Sequence, residues 1–385
     1  MRGLIYALCL AALMTGGCSK GETQRQTIRR DRDAAAVVVV KQTQAGVTFA
    51  DEAEPNDQPD QAGALPLPGG IHGVLDGDGD IDRYQLKVEQ PGWLNVSLSG
   101  IEDIDLVLEL DDTAGKLLAK SDRGPAKTPE GLPNYPVKPG TYTLAVSEFH
   151  KKRRKRKART GPSPTYDLVA RLDTDDPPAN QEREPNEEPI RAMELLLGVD
   201  GFGYIGWNGD VDLWRYSFDN FGEDYSFDVD VTAVQGVRLS VDVLDDNSDP
   251  VVSRKGDKGK AVAIRNLQRT SGNDHYYVRI GGRSSNPLER YSIRLTSRLM
   301  DVDEEREPND DQKSAQALRE DPKEVEGSRK GYLGPGDHDW YRLPAGTSAA
   351  LITVTVEAPV GVDVVLAAHG ADGALLGESN GGAAG

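Results

Sequence analysis

Three pairs of acidic motifs, repeated in the same order, hold the residues of this chain that are best suited to chemistry. In each pair a Glu-x-Glu-Pro-Asn segment precedes a Gly-Asp-x-Asp segment, and 26, 26 and 30 residues separate the second Glu from the first Asp. Carboxylate and amide oxygens are the ligands that Ca²⁺ takes, about six to eight at a time. The candidate ligands are Glu52, Glu54, Asn56, Asp57, Asp80 and Asp82 in the first copy, Glu182, Glu184, Asn186, Asp210 and Asp212 in the second, and Glu305, Glu307, Asn309, Asp310, Asp337 and Asp339 in the third.

The arrangement within each pair indicates how these acids would meet. The two aspartates of Gly-Asp-x-Asp share one face if the segment is a strand, and the proline of Glu-Pro-Asn keeps its neighbours extended. If the fold brings both motifs together, four or more carboxylates meet, and their mutual repulsion calls for a cation. The second copy has Glu187 where the first has Asp57. The alternative is a structural role, because Gly-Asp is common in turns and Glu-Pro-Asn can be a plain linker turn.

The elements that must position these motifs have the pattern of short β-strands. Tyr84, Leu86 and Val88 alternate with polar residues, and later segments of the first two copies keep this period of two. The copies begin 130 and 123 residues apart, which is the spacing of whole domains rather than of short solenoid repeats. The sequence therefore predicts an all-β chain of tandem, antiparallel, jelly-roll-like β-sandwich modules at 52–173, 182–298 and 305–385.

The third module is predicted to be incomplete. After the first Asp of its Gly-Asp-x-Asp motif the chain has 48 residues, whereas the first module takes 92 to reach the end of its last strand. The missing part corresponds to the closing strand pair, and a sandwich without it exposes sheet edges and half of a core. We therefore expect the chain to be a fragment of a longer protein or a truncated gene product.

Composition restricts the class of protein. The 385 residues leave room for two to three domains, and 42 Gly, 23 Pro and only 6% aromatic residues suit turn-rich β modules. A net charge of −18 argues against a general nucleic-acid binder. Both cysteines precede residue 19, so the modules have no disulfide, zinc-thiolate site or thiol nucleophile. The chain has no His-Glu-x-x-His or phosphate-loop motif, and we expect no enzyme activity in these residues.

The N-terminus carries an export signal. An apolar run at Leu4–Leu13, too short to span a bilayer as a mature helix, is followed by small residues and Cys18. This segment resembles a bacterial lipoprotein signal peptide. The resemblance implies a signal peptide at 1–17, lipidation of Cys18, a tether at 18–51 and a lipid-anchored place in the cell envelope, with Ser19 favouring the outer membrane of a Gram-negative host. The alternative is an ordinary secretory signal with a spare cysteine.

A basic segment interrupts the acidic chain between two strands of the first module. Its cationic side chains suit an anionic partner such as lipopolysaccharide, an acidic polysaccharide, phospholipid headgroups or DNA, with strong dependence on salt. No aromatic residue lies within 150–160, so base stacking and specific nucleic-acid binding are not expected. The alternative is a solvated or protease-sensitive loop. The candidate polyanion-binding residues are Lys151, Lys152, Arg153, Arg154, Lys155, Arg156 and Lys157.

The paired motifs, their order and the strand pattern resemble the bacterial pre-peptidase C-terminal domain family. The collagen-binding modules of clostridial collagenases belong to the same fold group. The resemblance covers about 320 of the 385 residues, as two complete copies and one incomplete copy. It implies jelly-roll-like sandwiches, a non-catalytic accessory role, calcium at the acidic motifs of some members, and matrix or polysaccharide binding by others.

These observations predict a lipid-anchored protein of tandem modules for surface binding, adhesion or spacing, stabilised by calcium. Its partner would be an extracellular protein or polysaccharide. One alternative is the accessory region of a secreted hydrolase, a protease, whose catalytic domain lies outside this chain. A second alternative is a polyanion binder that acts through residues 150–159. Neither the ligand nor the oligomeric state follows from the sequence.

Overall fold

The structure, a computed structural model, describes residues 46–149, 159–218, 221–222, 224–269, 272–319, 326–343, 351–358 and 361–380. The predictions for the signal peptide, for Cys18, for the tether before residue 46 and for the basic residues 151–157 fall outside these ranges. The described chain consists of strands with one short 3₁₀ helix at Pro189–Arg191. None of its helices is long and apolar enough to cross a membrane.

Module 1 is a sandwich of two five-stranded sheets with the strand orders β1-β3-β10-β5-β8 and β2-β4-β9-β6-β7. The short strands β1 and β2 run parallel to their neighbours, and every other pair is antiparallel. Apolar side chains such as Leu86, Leu108 and Leu168 fill the core between the sheets, as the alternation predicts. The strands are β1 Phe49–Asp51, β2 Gly63–Ala64, β3 Gly69–Gly73, β4 Ile81–Val88, β5 Gly92–Leu98, β6 Leu106–Asp111, β7 Leu117–Ser121, β8 Glu130–Val137, β9 Gly140–Glu148 and β10 Tyr166–Asp173.

The sheet of module 1 starts before residue 52, the boundary that the sequence predicts. Strand β1 pairs with β3, with Phe49 opposite Gly70, and the Phe49 ring stacks on His72 at 4.5 Å between centroids. The last residues of the predicted tether therefore belong to the first sandwich. Alternation is not visible in three residues, and the partner strand lies about twenty residues further along the chain, so no local pattern marks this strand.

Module 2 repeats the topology of module 1, with the pairing of β1 reduced to a single parallel bridge between Gln181 and Phe202. Its sheets have the orders β11-β13-β18-β15-β16 and β12-β19-β14-β17, and its core includes Trp214, Val241 and Ile293. The prediction of an all-β fold of sandwich modules is confirmed. The strands are β11 Met193–Glu194, β12 Asp200–Gly203, β13 Val211–Ser217, β14 Tyr225–Val231, β15 Leu239–Leu244, β16 Pro250–Lys255, β17 Val262–Gln268, β18 His275–Gly282 and β19 Tyr291–Leu299.

Module 3 forms two small sheets in the residues that the structure describes. Strand β20, Gln316–Ala317, pairs with β21, Tyr341–Arg342, and β22, Leu366–His369, pairs with β23, Leu375–Ser379. Among the described residues after Leu295 no apolar side chain is buried. This part of module 3 therefore carries an acidic motif pair but no sandwich core.

Candidate cation sites

The fold brings the two motifs of every pair together. We name the resulting groups site 1, site 2 and site 3, with the residues predicted for copies one, two and three and with Glu187 added to site 2. In each site three carboxylates offer oxygens that all lie within 4.8 Å of one another: Glu52, Glu54 and Asp82; Glu182, Glu184 and Asp212; Glu307, Asp310 and Asp337. The sequence alone did not require this convergence, which places acids from two distant segments around one point.

A tight turn between two sheets presents the Gly-Asp-x-Asp motif. In module 1 it links β3 to β4, and Gly79 has φ +90°, a left-handed conformation that glycine adopts without strain. Asp80 lies in the turn, while Asp82 is in β4 with its side chain buried. Gly209 and Gly336 have φ +87° and +79° in the other copies. The Glu-Pro peptide bond of each Glu-Pro-Asn motif is cis.

Backbone amides hold one oxygen of each glutamate. In site 2 the amide of Tyr204 donates to Glu182 at 2.9 Å, and the amide of Asn186 donates to Glu184 at 3.1 Å. These bonds fix the direction of both carboxylates and leave Oε1 of Glu184 without a hydrogen-bond partner among the described residues. The same contacts recur as Val74 to Glu52 at 2.6 Å and Asn56 to Glu54 at 2.8 Å in site 1, and as Tyr332 to Glu305 at 2.6 Å and Asn309 to Glu307 at 2.9 Å in site 3.

The first aspartate of each motif is held in the same way. The amide of Gly206 donates to Asp210 at 2.6 Å, and the amide of Gly334 donates to Asp337 at 2.9 Å. In site 1 the amide of Asp76 donates to Asp80. Three copies thus use one scheme, in which the turn itself positions the acid.

Several buried oxygens of the sites have no hydrogen-bond partner in the described part of the chain. Burying a polar atom without a partner costs about 1–3 kcal/mol, so a repeated set of such atoms indicates a ligand. The asparagine of each motif is fully buried and contributes at least its Oδ1 to this set. The unpartnered side-chain atoms are Oδ1 and Nδ2 of Asn56, Oδ1 of Asp82, Oε1 of Glu184, Oδ1 of Asn186, Oδ1 of Asp210, Oδ1 and Nδ2 of Asn309, and Oδ1 of Asp339.

Burial makes the ionised carboxylates unfavourable. Loss of hydration, followed by repulsion from neighbouring acids, raises the pKa of Glu184 to about 10 and that of Asp82, which also accepts a hydrogen bond, to about 8. The same causes raise the pKa of Glu182 and of Asp210 well above the ordinary range. The pKa of Asp212 reaches only about 6, because hydrogen bonds from its neighbours offset the cost of burial. Such a group of acids takes up protons or a cation.

A buried tyrosine in each of the first two sites was missed by the sequence interpretation. Tyr291 donates its hydroxyl to Asp212 at 2.7 Å, and Trp214 Nε1 donates to the Tyr291 oxygen at 2.9 Å. Tyr166 donates in the same way to Asp82. In the sequence, the two tyrosines share one feature, since each is the first residue of the last strand of its module. The alternation of apolar residues, however, predicts only that both are core residues.

A glycine that closes off each site was also missed. A Cβ at Gly203 would lie 2.3 Å from a carboxylate oxygen of Glu182 and 2.4 Å from the Tyr291 hydroxyl. A Cβ at Gly331 would lie 2.6 Å from Glu305, and one at Gly73 would lie 2.2 Å from the Tyr166 ring. The repeated signal in the sequence is a glycine six or seven residues before the first Asp of the Gly-Asp-x-Asp motif.

Sites 2 and 3 are more enclosed than site 1. Glu54 is exposed and Asp80 is half-buried, whereas Glu184 is 4% and Asp210 is 1% exposed. Asp57 accepts a hydrogen bond from the amide of Ile81 at 3.1 Å. Glu187, the residue that replaces Asp57 in copy two, is exposed at the rim of its site.

Module 1 covers the turn of site 2. The ring of Trp207 packs edge-on against Tyr135 at 5.5 Å, and the amide of Asn208 donates to the carbonyl of Lys120 at 3.2 Å. Trp207 also contacts the hydrophobic core of module 1. The second acidic turn is therefore part of the junction between the two modules.

Module 2 covers site 3 with an arginine that the sequence interpretation did not single out. Arg254 of β16 is 3% exposed in its side chain, and it pairs with Glu307 at 2.6 Å, Asp310 at 3.1 Å and Asp337 at 2.5 Å. Its guanidinium thus lies within the tight carboxylate group of site 3.

No protein-family model matches the chain, and no curated protein sequence is significantly similar to it. Among solved structures, the pre-peptidase C-terminal domain of the collagenase from Bacillus anthracis is 21% identical, with a TM-score of 0.24, over 30% of this chain and 100% of that one. A Clostridium perfringens structure that joins the M60 catalytic domain of ZmpB to two CBM51 domains is 8% identical, with a TM-score of 0.18, over 59% of this chain and 34% of that one. The PBSX exported protein XepA is 8% identical, with a TM-score of 0.20, over 59% and 86%. Likenesses of this strength carry over no ligand or activity.

Proposed function

We propose that this chain is a non-catalytic protein of the cell envelope, exported and anchored through a lipidated Cys18, whose modules bind Ca²⁺ at sites 1 and 2. The modules would serve as rigid units for adhesion to an extracellular protein or polysaccharide, or as spacers. The observation that carries the proposal is the repeated set of buried carboxylate and asparagine oxygens that lack hydrogen-bond partners.

The chemistry of the donors favours Ca²⁺ over other divalent cations. Sites 1 and 2 offer carboxylate and asparagine side-chain oxygens, and their motifs contain no histidine or cysteine. Zinc prefers nitrogen and sulfur ligands, and Mg²⁺ generally keeps several waters rather than filling a protein cage. In site 2, four buried acids with an asparagine oxygen suit the higher coordination number of Ca²⁺.

The enclosure of site 2 favours an ion over a substrate. Its acids Glu182, Glu184, Asp210 and Asp212 are at most 4% exposed, and the turn that carries Asp210 packs against module 1. A sugar or a peptide is too large to reach two of these carboxylates unless the turn moves away from module 1. A single ion is small enough to bind between the carboxylates without that movement. The acids therefore suit a structural site better than general acid–base catalysis.

Thermal unfolding of the chain from Ser19 onward, in EDTA and in millimolar Ca²⁺, tests this proposal. A tenfold excess of Ca²⁺ over its Kd adds about 1.4 kcal/mol of stability at a single site, and extracellular modules of this kind bind with Kd of about 10⁻⁴–10⁻³ M. We expect Ca²⁺ to raise the unfolding temperature of module 2. The substitution Asp212→Asn should abolish this increase.

The matched control is Asp200→Asn, which removes a carboxylate paired with Arg294 on the surface of the same module. This variant should keep the response to Ca²⁺. Absence of any shift up to about 10 mM Ca²⁺ in the unsubstituted chain would rule out calcium sites of the affinity proposed.

A further inference from the structure

The guanidinium of Arg254 takes up one face of site 3. Nη2 contacts Glu307 Oε1 at 2.6 Å and Asp337 Oδ1 at 2.5 Å, and Nη1 contacts both carboxylate oxygens of Asp310 at 3.1 Å. The planar fork of arginine suits several carboxylates at once. Since the side chain is 3% exposed, water screens these pairs weakly.

Site 3 is organised around this guanidinium, unlike sites 1 and 2. In sites 1 and 2 the tight carboxylate group consists of both glutamates and the second aspartate, for example Glu182, Glu184 and Asp212. In site 3 it consists of the three acids that bind Arg254. Glu305 lies apart from this group and is held by the Tyr332 amide and by the Tyr341 hydroxyl at 3.3 Å.

Module 1 offers no equivalent cation to site 2. Ser121 pairs with Leu108 in module 1 as Arg254 pairs with Val241 in module 2, so Ser121 holds the matching position. Ser121 instead donates to Glu130 at 2.5 Å within its own module. Its neighbour Lys120 meets the turn of site 2 only through a backbone carbonyl among the contacts described. In the described part of the chain, no lysine or arginine forms an ion pair with the four buried acids of site 2.

The backbone of module 2 also fixes the Glu-Pro-Asn segment of site 3. The amide of Glu307 donates to the carbonyl of Asn266 at 3.0 Å, and the amide of Gln268 donates to the carbonyl of Glu307 at 2.9 Å. These two bonds form a parallel bridge between Leu267 of β17 and Glu307 of module 3. Arg254 therefore reaches site 3 from a module whose position next to it is set by main-chain contacts.

We propose that Arg254 is the built-in cation of site 3, where it binds Glu307, Asp310 and Asp337. Of the counterparts of the tight groups in sites 1 and 2, the described ion pairs of Arg254 include Glu307 but not Glu305 or Asp339. The chain then binds Ca²⁺ at two sites rather than three, and the guanidinium joins module 3 to module 2. The count of two rests on the proposed function, whereas the role of Arg254 in site 3 does not. Ca²⁺ is excluded because its entry would leave a buried arginine without its partners, a costly change.

The unsubstituted chain from Ser19 onward provides the first test, because its three sites serve as controls for one another. The amides of Asn186 and Asn309 donate to matching carboxylates in sites 2 and 3, so their hydrogen exchange reports each site separately. We expect millimolar Ca²⁺ to slow exchange at Asn186 at least tenfold and to leave Asn309 unchanged. Equal slowing at both amides overturns the role of Arg254 and leaves the proposed function intact.

The second test counts ions in a chain that carries Asp82→Asn and Asp212→Asn, by equilibrium dialysis against Ca²⁺. When Arg254 is present, we expect no bound Ca²⁺ ion per chain. When Arg254→Ser is added, which introduces the residue found at the matching position 121 of module 1, we expect one bound ion per chain. The control Arg279→Ser removes a partly exposed arginine that pairs with Asp242, away from site 3, and should leave the number of bound ions at zero. An ion bound in the presence of Arg254 overturns the inference, as does the absence of any ion after Arg254→Ser.

The outcomes for the two proposals are separable. If Ca²⁺ binds neither site 1 nor site 2 in the unsubstituted chain, but Arg254→Ser creates one bound ion, the proposed function fails and the role of Arg254 stands.

Discussion

Tyr291 donates its hydroxyl to Asp212 at 2.7 Å, and this bond joins the last strand of module 2 to its acidic motif across 79 residues of chain. Both groups are completely buried. Tyr166 and Asp82 repeat the contact in module 1. The strand that closes each sandwich thus also helps to build its site, so that the stability of the module and the geometry of the site depend on the same hydrogen bond.

Tyr291→Phe should destabilise module 2 and weaken Ca²⁺ binding at site 2. The substitution leaves an oxygen of Asp212 buried without its donor, and hydrogen bonds to charged groups contribute about 1.5–3 kcal/mol. Urea unfolding in EDTA and in Ca²⁺ measures both effects. Tyr225→Phe, in which the ring still packs on Phe221, should change neither, and equal effects of the two variants would contradict a role of Tyr291 in the site.

Gly203→Ala should disrupt site 2 because the new Cβ would lie 2.3 Å from the Glu182 carboxylate. Forcing extra atoms into a packed interior costs about 1–3 kcal/mol, and here the displaced group is a proposed ligand. Isothermal titration with Ca²⁺ should show a loss of affinity at one site. At Gly281 the nearest atom to an added Cβ is 3.5 Å away, so the control Gly281→Ala should bind Ca²⁺ normally. Normal Ca²⁺ binding by Gly203→Ala would contradict the close approach of Gly203 to Glu182.

In EDTA, the stability of modules 1 and 2 should fall as the pH rises. The folded pKa values of Glu184, about 10, and of Asp82, about 8, lie above the ordinary value of each acid. A raised pKa means that the folded state holds protons more tightly than the unfolded chain, so the contribution is complete below the unfolded pKa and is lost as pH rises through the folded pKa. Urea midpoints between about pH 5 and pH 9 measure this slope.

Saturating Ca²⁺ should remove or reverse that slope, because the ion binds the ionised carboxylates and replaces the protons. The same urea series in Ca²⁺ provides the comparison. If stability in EDTA instead increases as the pH rises, the buried acids are ionised in the folded state and stabilised by other groups. That result would contradict the raised pKa values of Glu184 and Asp82.

Trp207→Ala should uncouple module 2 from module 1. The indole of Trp207 packs against Tyr135 and the core of module 1, and a loss of about 0.5–3 kcal/mol is usual for substitutions of this kind. Calorimetry should show the two modules unfolding at more widely separated temperatures. Trp93→Ala removes an indole from β5, within module 1 alone, and should lower the transition of that module without separating the two.

The sequence by itself was sufficient for the all-β fold of sandwich modules, and it singled out the acids that the fold brings together. Alternation of apolar residues and the turn chemistry of Gly-Asp are local properties, which survive in any single window of the chain. Strand β1 escaped because three residues show no period. Calcium itself stays a prediction.

Only the tertiary structure decided which groups complete each site. Glu307 and Asp310 look the same in sequence as Glu54 and Asp57, yet Arg254, 53 residues before Glu307, makes site 3 different. Tyr291 and Gly203 are likewise ordinary strand residues until the sheets bring them to Asp212 and Glu182. The physical reason is that Coulombic and hydrogen-bond interactions depend on distance in space, and the β-sandwich sets those distances through strand pairings that no local pattern records.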